Sequence, residues 1–218
     1  MINIEKYNKL ITLSLEWNEK INITAIRDRD EFLKKNILDS LEIVGFDEIE
    51  RAQRIMDLGT GGGYPGLPLA INYPDKEFVL VDSVQKKLKV VEDIAKKLEI
   101  SNVTTIHGRA EDLGKTLGIR DNFDLVVSRA VAAMPTLAEW ALPFVKPGGF
   151  FAAYKTEDAY DEIAEANKAI EALGGKLRSI KASVSRDSGH VIVIVEKLVE
   201  TPARFPRKAG EAKKNPIV

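Results

Sequence analysis

Apolar residues recur in two rhythms along this chain. Short, nearly continuous apolar runs at 54–57, 77–82, 103–107, 123–128, 149–154, 176–184 and 190–196 predict strands, most of them buried on both faces. Between them, apolar positions three and four residues apart predict helices over 66–72, 84–98, 134–142 and 157–173. The last of these stops at Gly174 and Gly175. Strands that alternate with helices predict a mainly parallel sheet covered on both faces. No helix fits into residues 185–189, so the last two strands are expected to form an antiparallel hairpin. Ahead of the sheet, Ile4, Tyr7, Leu10, Ile11, Leu13, Leu15 and Trp17 give helical spacing over 3–20. Asp28 or Asp30 is placed to cap a second helix that reaches Leu41 through Phe32, Leu33, Ile37 and Leu38. The chain thus divides into a helical extension (1–50), a sheet domain (51–198) and an irregular basic tail (199–218).

Composition narrows the chemistry. With 218 residues, 44% of them hydrophobic, the chain suits one domain with appendages. No apolar run is long enough to span a membrane, and the first residues lack a signal pattern, so a cytoplasmic location is expected. The absence of cysteine excludes disulfides, thiolate metal sites and a cysteine nucleophile. Only His107 and His190 remain as imidazoles, so no metal centre is expected. Net charge is −1, yet residues 197–218 hold six basic and two acidic side chains. With Phe205 and prolines among them, Arg204, Arg207, Lys208, Lys213 and Lys214 fit sequence-independent attraction to a phosphate backbone.

The richest local signal runs from Ile55 to Ile71. A short apolar strand ends at Asp57, and glycines at 59, 61, 62, 63 and 66 lead into a helix. Such a loop lets the backbone come close to a small molecule at the carboxyl end of the first strand. Gly61, Gly63 and Gly66 satisfy the spacing of a dinucleotide fingerprint, and Asp82 ends the next strand. Asp57, however, stands beside the place of a pyrophosphate and would repel it. A ligand with an ammonium group and a ribose but no phosphate fits better. S-adenosylmethionine is such a ligand. Asp57 would serve its amino-acid end indirectly, Asp82 both ribose hydroxyls, and Ala110-Glu111, after the third strand, would border the adenine. Blander roles remain open: Asp82 also suits a helix cap, and Glu111 a solvated helix start.

What can be methylated is limited by what the chain lacks. Attack by pyrimidine C5 usually needs a cysteine thiolate, which is missing. Methylation of an exocyclic adenine amine usually uses an Asn/Asp-Pro-Pro-aromatic turn after the fourth strand, where this chain has Val127-Ser128-Arg129-Ala130-Val131. Guanine N7 needs neither device, because its in-plane lone pair is free at neutral pH. The protein then supplies positioning and a suitable field rather than a general base. Arg129 stands where the target should enter, as a group that positions base, RNA or cofactor; the alternative is a surface arginine paired with Glu139. Lys155, just past the fifth strand, is a candidate phosphate contact, and His107 reads as structural.

These residues resemble one known family. Trp17-Asn18-Glu19-Lys20-Ile21-Asn22-Ile23-Thr24-Ala25-Ile26, Ile37-Leu38-Asp39-Ser40-Leu41, the 57–71 loop, Val81-Asp82-Ser83, Gly108-Arg109-Ala110-Glu111, Ser128-Arg129-Ala130 and Arg207-Lys208-Ala209-Gly210 are similar to the RsmG (GidB) family. Members of that family make 7-methylguanosine in small-subunit ribosomal RNA. The resemblance implies a Rossmann-like class I methyltransferase, with a seven-stranded sheet ending in an antiparallel hairpin and an N-terminal helical extension. It implies S-adenosylmethionine contacts at Gly59, Gly61, Tyr64, Asp82, Ser83, Val84, Ala110, Glu111 and Arg129. It also implies that the basic tail and residues 22–26 face RNA, and that the partner is small-subunit RNA or the assembling subunit; a monomer is expected. Two positions depart from the family's habit. Gly62 stands where proline is frequent, which should only loosen the loop, and Asn36 stands where histidine is frequent. Two other readings stay open: a dinucleotide-dependent oxidoreductase, and a non-catalytic RNA-binding or ribosome-associated factor that retains the pocket.

Overall fold

A computed structural model describes residues 3–182 and 189–218. Seven strands form one sheet in the order β3-β2-β1-β4-β5-β7-β6. They are β1 (Arg54–Leu58), β2 (Glu77–Asp82), β3 (Val103–His107), β4 (Phe123–Arg129), β5 (Val145–Thr156), β6 (Gly175–Ala182) and β7 (His190–Lys197). The first five pair in parallel, and β7 lies antiparallel between β5 and β6. The expected hairpin is therefore present, although residues 183–184 of its first strand and 185–188 of its turn lie outside the described residues. Strand β5 starts earlier than expected, at Val145, where the pairing with β4 shifts register between Phe123 and Leu125.

The helices are α1 (Ile4–Lys20), α2 (Arg29–Phe32), α3 (Asp47–Arg51), α4 (Gly66–Asn72), α5 (Gln85–Lys97), α6 (Ala110–Leu113), α7 (Met134–Ala141), α8 (Tyr160–Glu165), α9 (Asn167–Ala172) and α10 (Glu211–Lys214). Asn3 caps α1, its side chain accepting from Lys6 N, and Asp28 caps α2, accepting from Glu31 N at 2.8 Å. The expected long second helix is not uniform. Past Phe32 it widens into a π-helical stretch over Leu33–Leu38 and then tightens to 3-10 turns over Asp39–Ile43. Side chains take its carbonyls there: Arg129 Nη1 donates to Lys35 O at 2.6 Å and the Ser40 hydroxyl donates to Asn36 O. The helix expected over 157–173 is broken at Ala166 into α8 and α9; nothing in its neighbours explains the break.

Successive strand residues alternate between two cores. On one face, Ile55, Phe78, Leu80, Leu125 and Val127 pack with Tyr7, Leu10 and Ile11 of α1, Phe32 of α2, and α4 and α5. On the other, Met56, Val79, Val126 and Phe151 pack against α7, α8 and α9, and Phe205 of the tail joins them. The N-terminal segment thus shares its core with the sheet. The strand order reverses between β1 and β4, and the crevice outside their carboxyl ends is where open α/β sheets bind ligands.

Candidate active site

A cleft of about 230 Å³ opens at that point. The glycine loop forms one wall, with Gly59, Thr60, Gly61, Gly62 and Tyr64; the N-terminal segment forms the other, with Ser14, Ile23, Thr24, Phe32 and Asn36. Arg129 and Ala130 close its floor beyond β4, and Lys87 stands at its rim. Ala130 holds φ at +56°, a conformation a residue with a Cβ adopts only when its surroundings enforce it.

The loop is held by β2. Gly59 N and Thr60 N donate to Val81 O at 2.8 and 2.9 Å. Asp82 takes Gly61 N on one oxygen at 2.9 Å and Val84 N on the other at 2.8 Å. Asp82 therefore fixes both the loop and the start of α5, each of its oxygens accepting from a backbone N–H. At Gly61 (φ +59°) a Cβ would meet nothing within 4 Å, so the loop leaves open space there for a ligand. At Gly62 the reverse holds: a Cβ would lie 2.3 Å from Ile23 Cγ2. That glycine does more than loosen the loop, because its bareness lets Ile23 of the opposite wall seat against it.

Asp57 is fully buried. Its Oδ2 accepts from the Thr60 hydroxyl at 2.6 Å and from Gly66 N at 2.8 Å. The first N–H of α4, which would hold a pyrophosphate in a dinucleotide fold, is thus already taken by a carboxylate. Burial pushes the Asp57 carboxyl up to about 6, against the opposing pull of the Thr60 and Gly66 hydrogen bonds and the Arg129 charge. Its Oδ1 has no hydrogen-bond partner among the described residues. A buried acceptor in that condition is unfavourable until a donor such as an ammonium group reaches it.

Arg129 is the hub of the floor. It donates to Asp39 Oδ2 at 2.5 Å and to Asn36 Oδ1 at 2.9 Å, and its guanidinium lies 6.0 Å from the centre of the Tyr64 ring. Asp39 in turn meets His190 Nδ1 at 2.5 Å. Tyr64, fixed by its hydroxyl contact to Ser14 at 2.7 Å, borders the cleft. Asn36 keeps its amide nitrogen, buried and unpartnered among the described residues, at the cleft wall. Sequence reasoning missed Asp39 and His190 as parts of this site. Asp39 lay within the 37–41 motif, but nothing local signalled a partner 90 residues away at Arg129 or 151 away at His190.

The remaining expected site residues are not among those that line the cleft. Ser83 offers its carbonyl to His107, and Val84 is exposed at the start of α5. Ala110 opens α6, and Glu111, buried, accepts from Gly210 N at 3.0 Å. Glu139 pairs not with Arg129 but with Arg207, taking its backbone N at 2.8 Å, Nε at 3.0 Å and Nη2 at 2.6 Å. The tail motif is thereby fastened to α6 and α7. Lys197 is buried and donates to Leu142 O and Thr201 Oγ1, both at 2.6 Å. Of the tail's cations, Arg204, Lys208, Lys213 and Lys214 are exposed. Lys155 is paired with Glu162 at 2.6 Å and donates to Ala132 O at 2.7 Å. The 17–26 block folds around Asn18, whose side chain binds the backbone of Ile23, Thr24 and Ile26 and sets Ile23 and Thr24 on the cleft wall. No described helix is long and apolar enough to cross a membrane.

Comparison with known proteins bears on this arrangement. The family model for rRNA small subunit methyltransferase G (GidB) matches residues 3–192. Ribosomal RNA small subunit methyltransferase G of Clostridium novyi (strain NT) is 45% identical over 221 aligned residues, covering 99% of this chain and 91% of that protein. Its counterpart in Clostridium tetani is 43% identical, covering 97% of this chain and 91% of that protein. Among solved structures, the O-methyltransferase TomG of Streptomyces achromogenes, in complex with SAM, superposes with a TM-score of 0.56 at 15% identity, covering 87% of this chain and 89% of that one. That last likeness shows the class I methyltransferase fold.

Proposed function

The chain belongs to the rRNA small subunit methyltransferase G family, and on that premise we propose that it transfers a methyl group from S-adenosylmethionine to N7 of a guanine in small-subunit (16S) ribosomal RNA. The observation that carries the reading is the cleft itself: an open cradle at Gly61 in a loop that Asp82 fixes, backed by the buried Asp57, which fastens the same loop through Thr60 and Gly66 and whose Oδ1 has no partner among the described residues. This donor set suits a ligand with an ammonium group and ribose hydroxyls. It does not suit a pyrophosphate, whose place at the start of α4 Asp57 already fills.

Gly59, Gly61 and Tyr64 would line the donor; Asp82, with Ser83 and Val84 beside it, would hold the ribose; Ala110 and Glu111 would border the adenine. When bound, S-adenosylmethionine supplies an electrophilic methyl on a sulfonium. Guanine N7 brings its own lone pair, so no side chain has to remove a proton. Arg129 acts by position. Asp39 and Asn36 hold its guanidinium against the cleft, where it sets a fixed positive field. The exposed Arg204, Lys208, Lys213 and Lys214 would meet RNA phosphates, while Arg207 and Lys155, already paired with carboxylates, shape the surface that carries them. The enzyme would act in the cytoplasm as a monomer on small-subunit RNA or the assembling subunit. Tritiated S-adenosylmethionine incubated with small subunits from a strain lacking this family's enzyme tests the proposal. Label in 16S RNA, recovered as 7-methylguanosine, is expected; label confined to another base or to protein would refute it.

A further inference from the structure

A second cavity, of about 340 Å³, lies beyond the carboxyl ends of β4 and β5, on the α7 face. Its volume falls in the range that ligand pockets occupy. Only the short segment after Arg129 separates it from the cleft: Ala130 borders the cleft, and Val131 borders the cavity while packing against Gly59. Four of its lining side chains carry polar groups that bear on a ligand. Trp140 presents an indole Nε1–H that is buried and has no hydrogen-bond partner among the described residues. Glu162 and Glu165 of α8 bring carboxylates to the wall, the first oriented by Lys155 at 2.6 Å. Lys213 is the one exposed tail cation among the lining residues.

Resting on the methyltransferase reading above, we propose that this cavity receives the target guanine, with the N1–H and N2–H edge facing Glu162 and O6 accepting from Trp140. The chemistry of the base supports that orientation. Guanine N7 lies across the ring system from N2, so a base that turns N7 toward the cleft turns its Watson–Crick edge toward α8. A carboxylate only accepts, and guanine alone among the four RNA bases offers two adjacent donors on that edge. A buried N–H without an acceptor is unfavourable, and O6 satisfies it. Enzymes that act on a base take it out of the stack into such a pocket. Lys213 then stands where the phosphate of the flipped nucleotide would pass.

The test uses the full-length protein and small subunits from a strain lacking this family's enzyme. Wild type, Glu162→Gln and Trp140→Phe are compared for methyl transfer, and calorimetry measures S-adenosylmethionine affinity in parallel. Glu162→Gln should lower kcat/KM for the subunit about 10- to 100-fold, the scale of a lost hydrogen bond to a charged group. Trp140→Phe, which keeps an aromatic ring and every charge but removes the indole N–H, should lower it by up to about 10-fold. Cofactor affinity and melting temperature should stay at wild-type values in both. Wild-type kcat/KM in both variants would overturn the assignment, as would a loss of cofactor affinity that matches the loss of transfer. If the wild-type enzyme labels no RNA, the methyltransferase reading itself fails, and this assignment with it; label with wild type and none of the expected losses refutes the cavity alone.

Discussion

Replacing Arg207 by alanine should destabilise the protein strongly, although the residue sits in a basic tail. The Glu139 carboxylate is 1% exposed and takes hydrogen bonds from Arg207 Nε and Nη2 at 3.0 and 2.6 Å. Arg207→Ala keeps the backbone bond to Glu139 but removes the guanidinium, leaving a buried charge without its counterion. Breaking a buried pair in this way costs about 3–5 kcal/mol. For a chain of this length each kcal/mol moves the melting temperature by about 2–4 °C, so a fall of about 6–20 °C is expected. The reverse substitution should be milder. Glu139→Ala leaves Arg207, 26% exposed, able to hydrate, and about 1–3 kcal/mol is expected. The asymmetry is the test. Differential scanning calorimetry and urea titration of both variants, with Lys208→Ala as the exposed reference, measure it. The buried-pair account fails if Arg207→Ala melts with the Lys208 variant, or if Glu139→Ala proves the worse of the two.

Three further outcomes are expected. Asp82→Ala should weaken S-adenosylmethionine binding by about 1–3 kcal/mol in calorimetry, because the loop loses its anchor at Gly61 N and the ribose its acceptor. Cofactor affinity should also depend on pH. The Asp57 carboxyl, raised from its ordinary range to about 6, is increasingly protonated as pH falls through that value, and only the ionised form attracts an ammonium group. Binding should weaken steadily below about pH 6 and level off above it; a flat profile from pH 5 to 7, read by calorimetry, would count against Asp57 as the ammonium's partner. Arg129→Lys should lower methyl transfer on small subunits at least about 10-fold, because a single ammonium cannot serve Asp39, Asn36 and the Lys35 carbonyl in the fork that the guanidinium spans.

The sheet was legible because its inner strands are buried on both faces and must be apolar at nearly every position, as in Phe78-Val79-Leu80-Val81. The glycine loop was legible because backbone approach leaves a mark in the sequence itself. What stayed hidden depends on contacts between distant segments. The widened turn at Leu33–Leu38 has ordinary helix-forming residues, and its shape comes from Arg129 and Ser40 capturing its carbonyls. The use of Arg207 and Lys197 was invisible for the same reason. A charge count cannot distinguish a cation facing solvent from one held by Glu139 or buried against Leu142 O. Gly62 shows the limit most clearly, since its role is defined by Ile23, a residue from another part of the chain.

The cleft's two walls come from stretches of chain that are far apart in sequence, residues 14–36 and 59–64. A donor molecule seated there acts as a rivet between them. By mass action it would hold the leading helices down by about 2.7 kcal/mol when its concentration is a hundred times its dissociation constant. Resistance of the first forty residues to a protease then becomes a gauge of how well the cell is supplied with methyl groups.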